Sequence, residues 1–202
     1  MLLSNSSYIN ILVTNEIMGQ ISPSQRPVML VTAVISSHDK AFDWLRAQAI
    51  EEWGPVVLES PKFDFSETKF YTKEMGVNLR KQLLAFETLI DPAAIADIKI
   101  QSNDWELAYR TENSHEEARP LNIDPGYITE AKLVLATTKN RDHRIYLQKG
   151  IFAEITLFYQ GHQWQDSRWT YTDFRRADFK EFFANCRNLL RKRYRDMKTD
   201  NG

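Results

Sequence analysis

Cysteine, glycine and histidine are all scarce or badly spaced in this chain, and each shortage closes a route to function. One cysteine among 202 residues allows no internal disulfide and suggests a reducing compartment. That residue, Cys186, falls on the same stripe as Phe182, Phe183, Leu189 and Leu190, which suits a small buried hydrophobe better than a nucleophile. The seven glycines are all isolated, so neither GxxxxGKS/T nor GxGxxG is present to wrap a phosphate in backbone amides. A P-loop GTPase is excluded on that chemistry. His38, His115, His143 and His162 are scattered, whereas structural zinc needs Cys/His pairs at close spacing. His115-Glu116 opens like a zincin helix, but Arg119 stands where the second histidine is required. No metal ligands are therefore assigned. A GxSxG elbow is missing, and Ser36, Thr137 and Thr138 read more simply as cap and strand residues than as nucleophiles. No apolar run approaches the ~20 residues that span a bilayer, so no membrane association is expected. Charge of neither sign dominates: 26 Lys+Arg face 27 Asp+Glu, which gives no overall pull toward nucleic acid or acidic lipid.

What is present is a globular composition, 43% hydrophobic and 26% charged, long enough for a core without disulfides. Residues 1–26 read as a loose N-terminal leader. It lacks the basic flank and compact apolar centre of a signal peptide, and Met18 is a candidate start. Residues 27–198 read as a single α+β domain. VMLVTAVIS (28–36) is a continuous β-branched run, the pattern of a strand buried on both faces. Ser36 with Asp39 suggests a helix start, and Phe42, Leu45, Ala49 and Trp53 share a face before Gly54-Pro55 ends the helix. VVLESPKFDF (56–65) is a second strand interrupted near Pro61. LRKQLLAFETLI (79–90) fits helix or strand by periodicity. Strand is favoured, because the segment runs into Asp91-Pro92, an N-cap with proline at the first helical position. A helix over about 92–110 and a strand at LNID (121–124) complete a βαββαβ order, the ferredoxin-like α+β arrangement. KLVLATT (132–138), HRIYL (143–147) and IFAEITLFY (151–159) then suggest an antiparallel meander. A C-terminal amphipathic helix over about 173–196 carries Phe179, Phe182, Phe183, Cys186, Leu189 and Leu190 on one stripe.

The block from Asn122 to Glu154 gathers the titratable and hydroxyl residues that a small-anion site needs. Lys132, Thr138, Lys139, Arg144 and Lys149 are the candidate ligand-binding residues, with a phosphate, nucleotide or carboxylate as the expected ligand. His143 and Asp124 are the candidate catalytic groups, His143 because imidazole titrates near neutral pH. A hairpin around Asn140–Asp142 would bring Thr138 or Lys139 near His143 or Arg144. A solvated hairpin tip whose charges guard a sheet edge accounts for the same residues. Asp64, Glu74, Asp91, Asp124 and Glu154 would suit magnesium if folding gathered them, but Asp91 reads as a helix cap and Asp124, before Pro-Gly, as a turn residue.

The phrases KFDFSETKFYTKEMG, AFETLIDP, NIDPGYITEAKLVLATTKNRDHRIYLQKGIFAEITL and WTYTDFRRADFKEFF resemble the marker segments of the bacterial family DUF4416, a domain of unknown function. The resemblance runs from Pro27 through the last helix. It implies a cytoplasmic bacterial protein with no assigned chemistry and no named cofactor. Some relatives carry a GTP-binding label, which here would need a route other than a P-loop. A second functional reading rests on the basic end of the chain, nine Lys/Arg against three Asp/Glu from Arg175 to Lys198. It makes the chain a non-catalytic module that docks RNA or an acidic protein through its last helix; a third reading makes Trp164, Trp169 and Tyr171 an exposed partner surface. Cations late in a helix also favour its dipole, and a charge run is usually a solvated face.

Overall fold

The computed structural model describes residues 26–66 and 72–199. The expected leader, up to residue 25, lies outside them. In chain order the elements are β1 (Val28–Ser36), α1 (Asp39–Trp53), β2 (Val56–Glu59), β3 (Phe63–Asp64), α2 (Thr72–Met75), β4 (Arg80–Ile90), α3 (Ile95–Glu112), β5 (Asn122–Ile128), β6 (Lys132–Thr137), β7 (Ile145–Gln148), β8 (Ile151–Gln160), β9 (Gln163–Asp166) and α4 (Ala177–Thr199). Short 3-10 turns at Pro92–Ala94 and Asp173–Arg175 lead into α3 and α4. Helix and strand are thus mixed, with every strand in one antiparallel sheet of order β2-β4-β1-β5-β6-β8-β7. β3 continues the β2 edge along β4, and β9 continues the β7 edge along β8.

All nine residues of β1 are buried because helices cover both faces of the sheet. Leu30 and Val34 pack with α1 and α3, whereas Met29, Val31 and Ala33 pack with α4. The alternation of neighbouring side chains between faces follows from the pleat, and two covered faces explain why the strand reads as an unbroken apolar run. The same double coverage made residues 79–90 ambiguous by periodicity; they form β4, between β1 and β2. Asp91 caps the turn into α3, its Oδ1 accepting from the Ala93 amide at 2.9 Å. α1 buries Phe42, Leu45, Ala49 and Trp53 as expected. Its N-cap is His38, with no side-chain cap. Ser36 instead donates to the Pro120 carbonyl at 2.7 Å and accepts from the His38 amide at 3.0 Å, tying the exit of β1 to the entry of β5.

Three expectations are corrected by packing. Asp124-Pro125-Gly126 is not a turn: β5 runs straight through it to Ile128. Glycine is required there by close approach, since a Cβ on Gly126 would lie 2.2 Å from the Val134 carbonyl of β6. The last three strands are not a simple meander, because β8 inserts between β6 and β7. β8 has ten residues that carry Ile151 and Leu157 into the core, while all four residues of β7 are exposed, so the long strand takes the inner position. Trp164 is buried against Tyr159 rather than exposed, although Trp169 and Tyr171 keep exposed area. α4 docks Phe179, Phe182, Phe183, Cys186 and Leu190 on the sheet, with Leu189 half-buried beside them.

Candidate functional site

Pro125 opens the site. Backbone groups of alternate strand residues face the same edge, so Pro125 turns its missing amide toward β6, as Ile123 turns its own groups. The β5–β6 ladder accordingly ends at Gly126–Leu135. Beyond that point α3 stands in for the missing strand: the Ile123 amide donates to Glu106 Oε1 at 2.8 Å, and the Ile123 carbonyl accepts from Lys99 Nζ at 2.6 Å. The gap left between the two strands widens into a cavity of about 500 Å³, a size typical of small-ligand sites. Residues of β5, β6, α3, the loop after β6 and the segment 170–174 line it.

Its walls are charged and hydrogen-bonded. Lys81, Lys99, Arg119, Lys139, Arg141 and Arg144 face Asp124, Glu154 and Asp173, with the hydroxyls of Thr137, Thr138, Thr170, Tyr171 and Thr172 between them. Buried Lys81 pairs with buried Asp173. Lys99 lies 3.4 Å from Asp124, which also accepts from the Asn122 side-chain Nδ2 at 2.7 Å. Burial raises the Asp124 carboxyl, but Lys99, Lys81 and the Asn122 hydrogen bond outweigh it and hold the group below its ordinary range. Glu106 holds Arg119 at 2.7 Å, yet burial keeps its carboxyl above the usual range against the pull of Lys99 and Arg119. Glu154 accepts from Arg144 Nε at 2.9 Å and bonds His143 Nε2 at 2.6 Å. Arg144 reaches on to Tyr171 Oη at 2.6 Å and the Lys139 carbonyl at 2.8 Å. Burial, then the Glu154 charge, push the Tyr171 hydroxyl well above its ordinary value, so it stays protonated.

A family model described as a domain of unknown function, DUF4416, matches residues 26–190. The chain belongs to the DUF4416 family. That match spans every residue lining the cavity. No curated protein and no solved structure gives a significant match.

Of the residues singled out in the DUF4416 chain, Asp124, Thr138, Lys139 and Arg144 come together on the cavity wall. His143 does not line it: the ring sits behind Glu154, bonded to Asp142 at 3.1 Å and stacked on Trp169. Lys132 and Lys149 fall elsewhere. Lys132 is exposed at the far end of β6, and Lys149 sits at the tip of the β7–β8 hairpin with φ of 52°, paired with Asp97. β6 starts at the end of the sheet away from the β5–β6 gap, whereas the β7–β8 turn lies at the Thr137 end but off the cavity wall. Of the possible magnesium carboxylates, Asp124 and Glu154 share the cavity wall and the other three do not. Asp91 caps a turn and Asp64 lies on the edge strand β3, while Asp124 and Glu154 each have their own cations. Among the described residues, His38, His115 and Glu117 are the one His/Cys/carboxylate group within metal-ligating range.

Lys81, Lys99, Arg119 and Asp173 escaped the sequence reading because they lie outside the 122–154 block. One of them did leave a signal. Lys99 shares the buried stripe of Ile95, Ala96 and Ser102 on α3. A lysine on a core face must find a partner there.

Proposed function

We propose that the protein binds a small phosphorylated or carboxylate ligand in the β5–β6 cavity. The observation that carries this reading is the charge balance of the lining, six cations against three carboxylates in about 500 Å³. Asp173, Asp124 and Glu154 are each saturated by Lys81, Lys99 and Arg144, and Arg119 is held by Glu106. That leaves Arg141 at the mouth as a cation in excess. Arg141 makes no side-chain ion pair or hydrogen bond among the described residues. Charge-assisted bonds from its guanidinium, with the threonine hydroxyls, suit phosphate or carboxylate oxygens. Location in the cytoplasm accords with this reading. The ferredoxin-like reading of the first half is supported by the order β2-β4-β1-β5, in which the two helices of a βαββαβ unit lie on one face.

The test is a thermal-shift titration with inorganic phosphate, GTP and dicarboxylates. A ligand at 100 times its Kd should add about 2.7 kcal/mol of stability. Arg141→Ala and Lys139→Ala should lose that shift with little change in the unliganded melting temperature, since both side chains are exposed. Arg144→Ala is unsuitable, because its guanidinium holds three groups and its removal would unfold the wall. Equal shifts in wild type and both variants would reject the cavity as the anion site. The basic face of α4 is less suited to a ligand: Arg187 donates to the Glu130 carbonyl, Arg191 pairs with Glu130 and Arg193 with Glu87.

A further inference from the structure

We propose that His38, His115 and Glu117 form a binding site for a divalent transition-metal ion of the zinc type, separate from the cavity. His38 sits at the exit of β1, and His115 and Glu117 in the connection from α3 to β5. The pairing of β1 with β5 brings these distant segments to one end of the sheet. Ser36 fixes them together, bonding the Pro120 carbonyl and the His38 amide. One donor atom from each side chain lies within 4.8 Å of the others, and His38 Nε2 is 3.1 Å from Glu117 Oε2. Tetrahedral zinc with bonds of about 2.0–2.1 Å sets its donors roughly 3.4 Å apart, so the widest pair need close by little more than an ångström.

The surroundings favour an ion over a bare ion pair. Nε2 of His115 is buried with no hydrogen-bond partner among the described residues, a condition that costs stability unless something bonds the nitrogen. The ring is held in place, stacked on Tyr109 at 5.1 Å and against His38 at 4.6 Å between centroids. Gly76 comes down on the carboxylate so closely that a Cβ would lie 3.1 Å from Glu117 Oε1. Two imidazole nitrogens and one carboxylate suit zinc or its late first-row neighbours, whereas magnesium and calcium prefer oxygen alone. Three protein ligands also leave a coordination position open, as in reactive rather than purely structural zinc sites. Sequence spacing hides this set, because its first histidine follows β1, far from the other two along the chain.

The test uses the full, tag-free chain, stripped with a chelator and titrated with Zn²⁺ by calorimetry and with Co²⁺ by visible absorption. One Zn²⁺ per chain should bind, and Co²⁺ should give the intense d–d bands of a four-coordinate site. His115→Ala and Glu117→Gln should each weaken Zn²⁺ at least about tenfold, and His162→Asn should leave it unchanged. Circular dichroism establishes that each variant is folded, and the near-isosteric Glu117→Gln tests the site even if His115→Ala does not fold. Absence of stoichiometric Zn²⁺ binding, or affinity that Glu117→Gln leaves intact, overturns the proposal. Neither result bears on anion binding in the cavity, which is read by a different ligand and different variants.

Discussion

Lys81 Nζ is surrounded by the rings of Phe174, Phe65 and Phe179, at 4.5, 5.2 and 5.9 Å, and is ion-paired with Asp173. The rings lend their negative faces to the ammonium, but only the carboxylate neutralises it. Removing one member of such a buried pair strands a charge, so Asp173→Ala should cost about 3–5 kcal/mol in urea unfolding. Lys81→Met with Asp173→Leu removes both charges and should cost less than Asp173→Ala alone. If the double variant is the less stable, the pair contributes more than mutual neutralisation. Gly126 is a second residue whose identity is dictated locally. A methyl group there would meet the Val134 carbonyl at 2.2 Å, so Gly126→Ala should cost about 1–3 kcal/mol or more through forced strand separation. In the sequence Gly126 stands out only as a glycine after proline, and Lys81 is masked by Arg80 and Gln82 on either side; the reason for each lies in a neighbour far along the chain.

α4 shows how an element can be read correctly and its chemistry still shift. Its apolar stripe was legible from spacings of three, four and seven, because a helix that dedicates one side to phenylalanine must bury that side. Phe183 is 1% exposed and stacked on Phe174, so Phe183→Ala should cost about 3–5 kcal/mol. Leu107→Ala, at an exposed position on α3, should stay within about 0.5 kcal/mol of wild type by the same assay. The basic stripe of α4 was equally legible, yet three of its arginines turn back to the sheet. Arg191→Ala should cost no more than about 1 kcal/mol, since its pair with Glu130 is half in water. β7 marks the opposite case. Its residues have strand character, but its place at the edge follows from competition with the longer β8 for β6, and no local pattern records that contest.

For the molecule as a whole, carboxylates held by cations set the acid limit of stability. Hydrogen bonds from Lys62, then Arg80, lower the Asp39 pKa from 3.8 to about 2, and Asp124 is lowered as well. A depressed carboxyl contributes stability that is fully present above its unfolded value and is lost as pH falls through the folded one. Stability should therefore fall between about pH 4 and pH 2. Glu106, raised by burial, acts in the opposite sense and favours the fold below its ordinary value of 4.5. Asp39→Asn should flatten the dependence of the urea midpoint on pH between about 4 and 2; parallel curves for variant and wild type would show that its two ion pairs add nothing. The size of the effect is limited, because Asp39 is largely exposed and its partners are screened by solvent.

From the residues alone came β1 as a doubly buried strand, the Asp91-Pro92 helix start, the broken strand at Pro61, the docking stripe of α4 and the polar density of 122–154. These are properties of short windows, where periodicity, caps and turn residues act through neighbours in sequence. Only the tertiary structure decided which strand lies beside which, and so which side chains share a space. Pro125 ends a ladder rather than making a turn because β6 lies alongside it. Lys81, Lys99 and Asp173 meet Asp124 and Glu154 only because β4, α3 and the 170–174 segment close around that gap, and His38 reaches His115 only across the β1–β5 pairing. A site assembled from several elements is a consequence of chain crossing, and that information is carried by long-range packing rather than by any run of residues.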